Sequence, residues 1–327
     1  MMRAMEEMLA NAEAGSRHLY WIIESAMLLG GLVAILILVL HHRRTPPDTE
    51  TLTARLVARA FSFTEIYGIV LLHLTLMILA MFSGRLFYAE QIPTAKLVVA
   101  LLIYTIVTFA IFITIWKRGG TLDDTFGLRL RQLKLAALSP LFYLAIVPLL
   151  LLSSALLTLL GYELPLQESV QQFVDSPQLE QILFSVMAII AAPFFEELLF
   201  RGIIFPALLK RMGLAGSTLL VSSLFALLHF HFFIFLILFG SASLFCLLFW
   251  PAQNRWAVFA TRGVLALVVL FSAYITFISG SFHSFTALMI LSSAACLAYW
   301  RTGSLWACIG LHAIFNTVSI LALNLFG

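Results

Sequence analysis

The sequence predicts an all-α protein: a polytopic transmembrane helical bundle of about nine or ten spans. Three observations carry this. Hydrophobic residues make up 62% of the 327 positions and charged residues 11%, where a soluble domain carries about 25% charged. Mean hydropathy is +1.03. The apolar residues also come in runs of about 20, the length that crosses a hydrocarbon core as a helix.

Taken in order, spans are predicted near 19–41, 63–83, 95–116, 136–160, 182–209, 214–236, 256–279, 284–300 and 304–326. The stretch 237–250 is short for a span, and Pro251 ends it. The polar segment before residue 19 has no cleavable signal pattern, so the first run reads as a retained helix that also serves as the insertion signal. There is no internal repeat. Cys246, Cys296 and Cys308 lie in apolar runs without a CxxC motif and read as small buried hydrophobes.

Charge orients the bundle. Arg43, Arg44, Arg55 and Arg59 follow the first span, and Lys117, Arg118, Arg129, Arg131 and Lys134 follow the third. Lys210 and Arg211 follow the fifth. Loop 161–181 has no Lys or Arg but carries Glu163, Glu168, Asp175 and Glu180. The positive-inside rule puts 42–62, 117–135 and 210–213 in the cytoplasm and 161–181 outside. Beyond residue 236 the alternation is open by one. The net charge of +3 belongs to these loops, and no nucleic-acid partner is read from it. The lipid bilayer is the expected surrounding, in a multi-pass protein of the bacterial inner membrane.

Against this background, charges within spans stand out, because each costs roughly 3 kcal/mol or more at bilayer depth. Glu196, Glu197 and Arg201 fall within one apolar run. His229 follows Phe225 by four residues, and Asn316 follows His312 by four. Glu197 and Arg201 share a helix face and can pair, while Glu196 points about 100° away. His231 faces away from His229 and is left out of the set. If the fifth and sixth spans turn near Gly213, Glu196 and His229 both lie roughly 22–24 Å from the turn and can face each other.

Singly, such residues are often hydrogen-bonding groups between helices. Together, a carboxylate, two histidines and an amide at one depth suit peptide hydrolysis. A Glu and a His can deprotonate a water, directly or through a divalent metal such as Zn²⁺, and a His and an Asn can stabilise an oxyanion. Two histidines and a glutamate are also a known zinc ligand set.

These motifs resemble those of the CPBP intramembrane proteases, the family of the type II CAAX prenyl endopeptidases and of the bacteriocin-immunity (Abi) proteins. The pattern is EExxxR, FxxxH and HxxxN on separate helices. It stands here as Glu196-Glu197 with Arg201, Phe225 with His229, and His312 with Asn316. The flanks Phe200-Arg201-Gly202 and Arg301-Thr302-Gly303-Ser304-Leu305-Trp306 are similar too.

The resemblance implies that Glu196 activates the water with help from His229. Glu197 and Arg201 support the site. His312 and Asn316 complete it as oxyanion donors or metal ligands, a metal being held by Glu196, His229 and His312. The implied enzyme is an intramembrane endopeptidase, of metallo- or glutamic type, acting on a protein or peptide in or near the membrane. Residues 1–135 then read as helices for scaffold or substrate docking, and 136–327 as the protease core with an inserted apolar segment near 232–283. A non-catalytic immunity or binding protein on the same scaffold, and a proton-coupled transporter, are the competing readings.

Overall fold

The computed structural model describes residues 14–87, 93–162, 173, 174, 176–230 and 255–326. Among these there is no strand. Glu163, Glu168, Asp175, His231, Cys246 and the first half of the segment 232–283 lie outside the described residues.

The long helices are α1 (Ala14–Arg44), α3 (Phe63–Phe87), α4 (Pro93–Lys117), α6 (Ser139–Leu159), α10 (Arg255–Ile278), α11 (Phe282–Thr302) and α12 (Leu305–Phe326). Two short helices, α2 (Thr49–Val57) and α5 (Leu122–Phe126), lie between spans. Asp48 starts α2 by accepting the Glu50 and Thr51 amides, and Thr121 starts α5 by accepting the Asp124 amide. A 3₁₀ stretch, Leu130–Leu138, leads into α6.

Between α6 and α10 runs one 53-residue apolar helical stretch, Gln178–Phe230. It comprises α7 (Gln178–Val186), a π-helical turn (Met187–Ala191), α8 (Ala192–Glu197), a second π segment (Leu198–Ile204) and α9 (Phe205–Phe230). Straight, it would reach about 80 Å. Gly213, at φ 70° and ψ −178°, folds it back, so that Phe225 meets Phe200 with ring centroids 5.2 Å apart. The hairpin expected near Gly213 is therefore present. Seven helical stretches among the described residues are long and apolar enough to cross a membrane, and this hairpin is one of them. The polytopic bundle is as the sequence predicts.

Burial separates centre from rim. The apolar window of α11 is 50% buried, against 11% in α1. α11 packs between α9, α6 and α12, whereas α1 packs chiefly on α6. Helices in lipid gain little hydrophobic drive from meeting one another, so close contact depends on small residues. At Gly31, a Cβ would stand 2.5 Å from the Pro148 ring and 2.6 Å from the Leu144 carbonyl. Any side chain there would push α1 off α6.

The two ends of the bundle are distinct. At one end the basic loops clasp the α11–α12 turn. Arg55 donates to the Trp300 and Arg301 carbonyls, Arg59 to the Gly303 carbonyl at 2.7 Å, and Arg301 to the Thr45 carbonyl. The Arg55 and Arg59 guanidinium groups satisfy carbonyls that the α11 C-terminus leaves open. Gly303 closes the turn at φ +67°, with Arg55 packed where a Cβ would be. At the other end, Tyr162 accepts the Phe282 amide and donates to the Phe277 carbonyl, and Thr94 donates to Glu180. The turn at Gly303 thus shares the end of the Arg-rich loops, and the turn at Gly280 that of Tyr162. If the basic loops are cytoplasmic, as their charge predicts, α12 runs outward.

This orientation is testable. In a background lacking Cys246, cysteine at position 176 is expected to react with an impermeant maleimide on intact cells, and cysteine at position 121 only after permeabilisation. The reverse pattern would invert the bundle.

Candidate active site

The site begins with a proline. Pro193 has no N–H, so a helix passing through it loses one backbone bond. The preceding turn adopts π geometry, with the Ala192 amide bonded to the Met187 carbonyl. In that register the Ala188 carbonyl would be bonded by residue 193, which has no hydrogen to give. Asn316 of α12 supplies the missing donor, its Nδ2 lying 2.6 Å from the Ala188 carbonyl. π turns of this kind often sit at functional sites, and this one stands directly before Glu196 and Glu197.

Glu197 is fully buried. Its Oε1 accepts Arg201 Nη1 at 2.9 Å and His312 Nδ1 at 3.0 Å. Arg201 is also fully buried, and its guanidinium lies 4.7 Å from the centre of the Phe225 ring. That ring contacts His229 at 4.7 Å and the edge of His312 at 5.6 Å. The Phe225 carbonyl accepts His229 Nδ1 at 2.7 Å. Phe225 therefore faces the cation and both imidazoles, which gives a physical reason for an aromatic residue four positions before His229.

Glu196 points away from this pair, as its 100° offset predicts. Its Oε2 lies 3.7 Å from His229 Nε2 and 4.0 Å from His312 Nε2. The hydrogen bonds assign the tautomers: with Nδ1–H of each imidazole committed, to the Phe225 carbonyl and to Glu197, each Nε2 is left as a lone pair. Glu196 Oε2 is buried and has no hydrogen-bond partner among the described residues. Three acceptors thus converge on a small gap that only an electropositive group can fill: water hydrogens, a shared proton or a cation. Side-chain exposure rises from 4% at His312 through 12% at Glu196 to 31% at His229, so His229 forms the open side.

The donor chemistry of this trio suits a divalent metal, and each histidine has the second hydrogen bond that fixes a ligand ring. The spacing is wider than a closed zinc tetrahedron, whose ligands stand about 3.4 Å apart. Among the described residues, no group of three His, Cys, Asp or Glu reaches metal-holding distance.

Of the six residues singled out from the sequence, the structure brings five together: Glu196, Glu197, Arg201, His229 and His312. Asn316 is one turn further along α12, with one amide hydrogen on Ala188. His312 sits closer to Glu197 than to Glu196, a pairing that spacing alone did not predict. Cys296 and Cys308 are buried and free, as read. Sequence reasoning missed Tyr104, whose ring stacks on Phe195 and brings its hydroxyl beside Glu196; nothing in its apolar run marks it. The available signal for the Asn316 bond was Pro193, three residues before Glu196.

The site lies near the basic end of the bundle. His312 is seven residues into α12, about 10 Å from its start, and Leu305 packs beside Gly202 there.

Comparison with known proteins agrees with these motifs. Residues 178–268 and 252–318 match the family model described as type II CAAX prenyl endopeptidase Rce1-like. No curated protein and no solved structure gave a match. The matched region holds the whole carboxylate–histidine cluster, and the helical core from residue 178 to 318 is similar to the Rce1-like type II CAAX prenyl endopeptidases.

Proposed function

We propose that the protein is an intramembrane endopeptidase of CAAX-protease type, hydrolysing a peptide bond of a membrane-associated protein or peptide in the bacterial inner membrane. The observation that carries this reading is the unpartnered Glu196 Oε2 facing two imidazole lone pairs. A water in that gap donates one hydrogen to Glu196 and the other to His229 Nε2, which aims its oxygen lone pair outward. Glu196 takes the proton as the oxygen attacks the scissile carbonyl carbon. It returns that proton to the leaving amine when the tetrahedral intermediate collapses.

His312, held through Nδ1 by Glu197, borders the gap, and the second amide hydrogen of Asn316 serves as a donor to the oxyanion. A divalent metal, if bound, would be held by Glu196, His229 and His312 and would supply Lewis acidity.

The test uses purified protein in proteoliposomes with a farnesylated CAAX peptide and its unprenylated twin. Cleavage of either peptide, lost in Glu196→Gln, is expected. Activity that persists after chelation, in protein free of bound metal by elemental analysis, assigns the water-only mechanism. Activity lost on chelation and restored by Zn²⁺ assigns the metal. Binding of both peptides by wild-type protein without cleavage overturns the enzymatic reading in favour of a binding protein.

A further inference from the structure

The helices before residue 178 lie outside the matched region, yet one of them reaches the reacting carboxylate. Tyr104 lies eleven residues into α4, about 16 Å along its axis. Its ring stacks on Phe195, with centroids 4.3 Å apart and planes at 16°. His73 of α3 completes the layer, 5.1 Å from Phe195 and 6.4 Å from Tyr104, and is itself buried. Phe195 directly precedes Glu196, so this stack grips the backbone that carries the carboxylate. The same tyrosine places its hydroxyl beside the Glu196 side chain.

Building on the proposed hydrolysis, we propose that Tyr104 is a positioning residue for Glu196, supplied to the protease core by the N-terminal helices. An aspartate or glutamate with one bond to a locked partner keeps one rotamer, and a carboxylate that must take a proton from a water within a few tenths of an ångström needs that restraint. Histidines alone do not provide it, because both present lone pairs to Glu196 and neither donates to it in the neutral state. The phenol O–H is the donor facing that carboxylate. It leaves Oε2 aimed at His229 and His312. The N-terminal helices then have a chemical role beyond scaffold.

Tyr104→Phe keeps the ring stack and deletes only the hydroxyl. In the peptide assay, kcat is expected to fall roughly 10- to 100-fold, as for other residues that orient a reacting group, with KM and thermal midpoint unchanged. In a Glu196→Asp background, whose shorter side chain breaks the contact, the same substitution is expected to cost less than about threefold, because two changes to one interaction are not additive. A purely structural role would lower the thermal midpoint and add in full.

A substrate-free readout runs beside it. With 3-fluorotyrosine at position 104, the ¹⁹F resonance is expected to move on Glu196→Gln. No movement overturns the proposal whatever the peptide assay shows. Wild-type kcat in Tyr104→Phe, with Glu196→Gln inactive, overturns it and leaves the proposed function standing. Wild-type protein that cleaves neither peptide, with the resonance shift present, sinks the proposed function and retains the Tyr104–Glu196 pair.

Discussion

Glu196→Gln is expected to abolish peptide cleavage while the protein still inserts, purifies and unfolds at the wild-type temperature. The amide fills the same volume and keeps an oxygen for Tyr104, so packing changes little. It has no proton-accepting power, and general base catalysis contributes typically 10²–10⁴-fold, before any loss of water orientation. The comparison variant is His229→Leu, which removes the lone pair on the open side of the gap but leaves the carboxylate. Cleavage in Glu196→Gln at more than a few per cent of the wild-type rate would remove Glu196 from the chemistry.

Glu197→Gln should behave in the opposite way, as a stability variant first. Glu197 and Arg201 are both fully buried and 2.9 Å apart, and Oε1 also carries His312. Removing one charge leaves the other in a low-dielectric interior, which costs about 3–5 kcal/mol. Arg201 keeps its place over the Phe225 ring, but that contact alone is worth about 2 kcal/mol when desolvated. Lower yield and a lower thermal midpoint are therefore expected of Glu197→Gln and of Arg201→Met taken singly. The double variant should be more stable than either, because it leaves no buried charge unpaired. Additive losses in the double variant would show that the pair does not act as a unit. Any activity loss in Glu197→Gln also includes His312, which loses its carboxylate partner.

The two substitutions sit on adjacent residues of one helix and are expected to separate chemistry from folding. Their difference follows from surroundings: a partnerless oxygen at the edge of a half-open gap in one case, a closed ion pair in the other.

Much of this was legible in the sequence, for reasons that are local. Spans follow from the cost of exposing backbone to lipid, which a run of about 20 apolar residues answers by itself. The Glu197–Arg201 pair and the opposite aim of Glu196 follow from helix geometry. The level match of Glu196 and His229 follows from equal chain lengths on either side of Gly213. Charge in the loops set the orientation as an expectation up to residue 236.

Other features needed the tertiary structure, because they depend on which helices become neighbours. Parity was lost after residue 236, and the Arg55 and Arg59 contacts to the α11–α12 turn supply what counting did not. Pairing of His312 with Glu197 rather than Glu196 depends on how α12 leans on α8. The bond from Asn316 to Ala188 exists because Pro193 opens the helix at the height where α12 passes. Tyr104 carries no motif at all: one polar atom at the end of an aromatic ring is compatible with any apolar helix, and only the packing of α4 against Phe195 turns that atom toward Glu196. Local patterns carried the membrane bundle and the candidate groups of the site. The tertiary structure decided which of those groups touch, since contacts between helices far apart in the chain are set by small residues and side-chain fit that no single helix encodes.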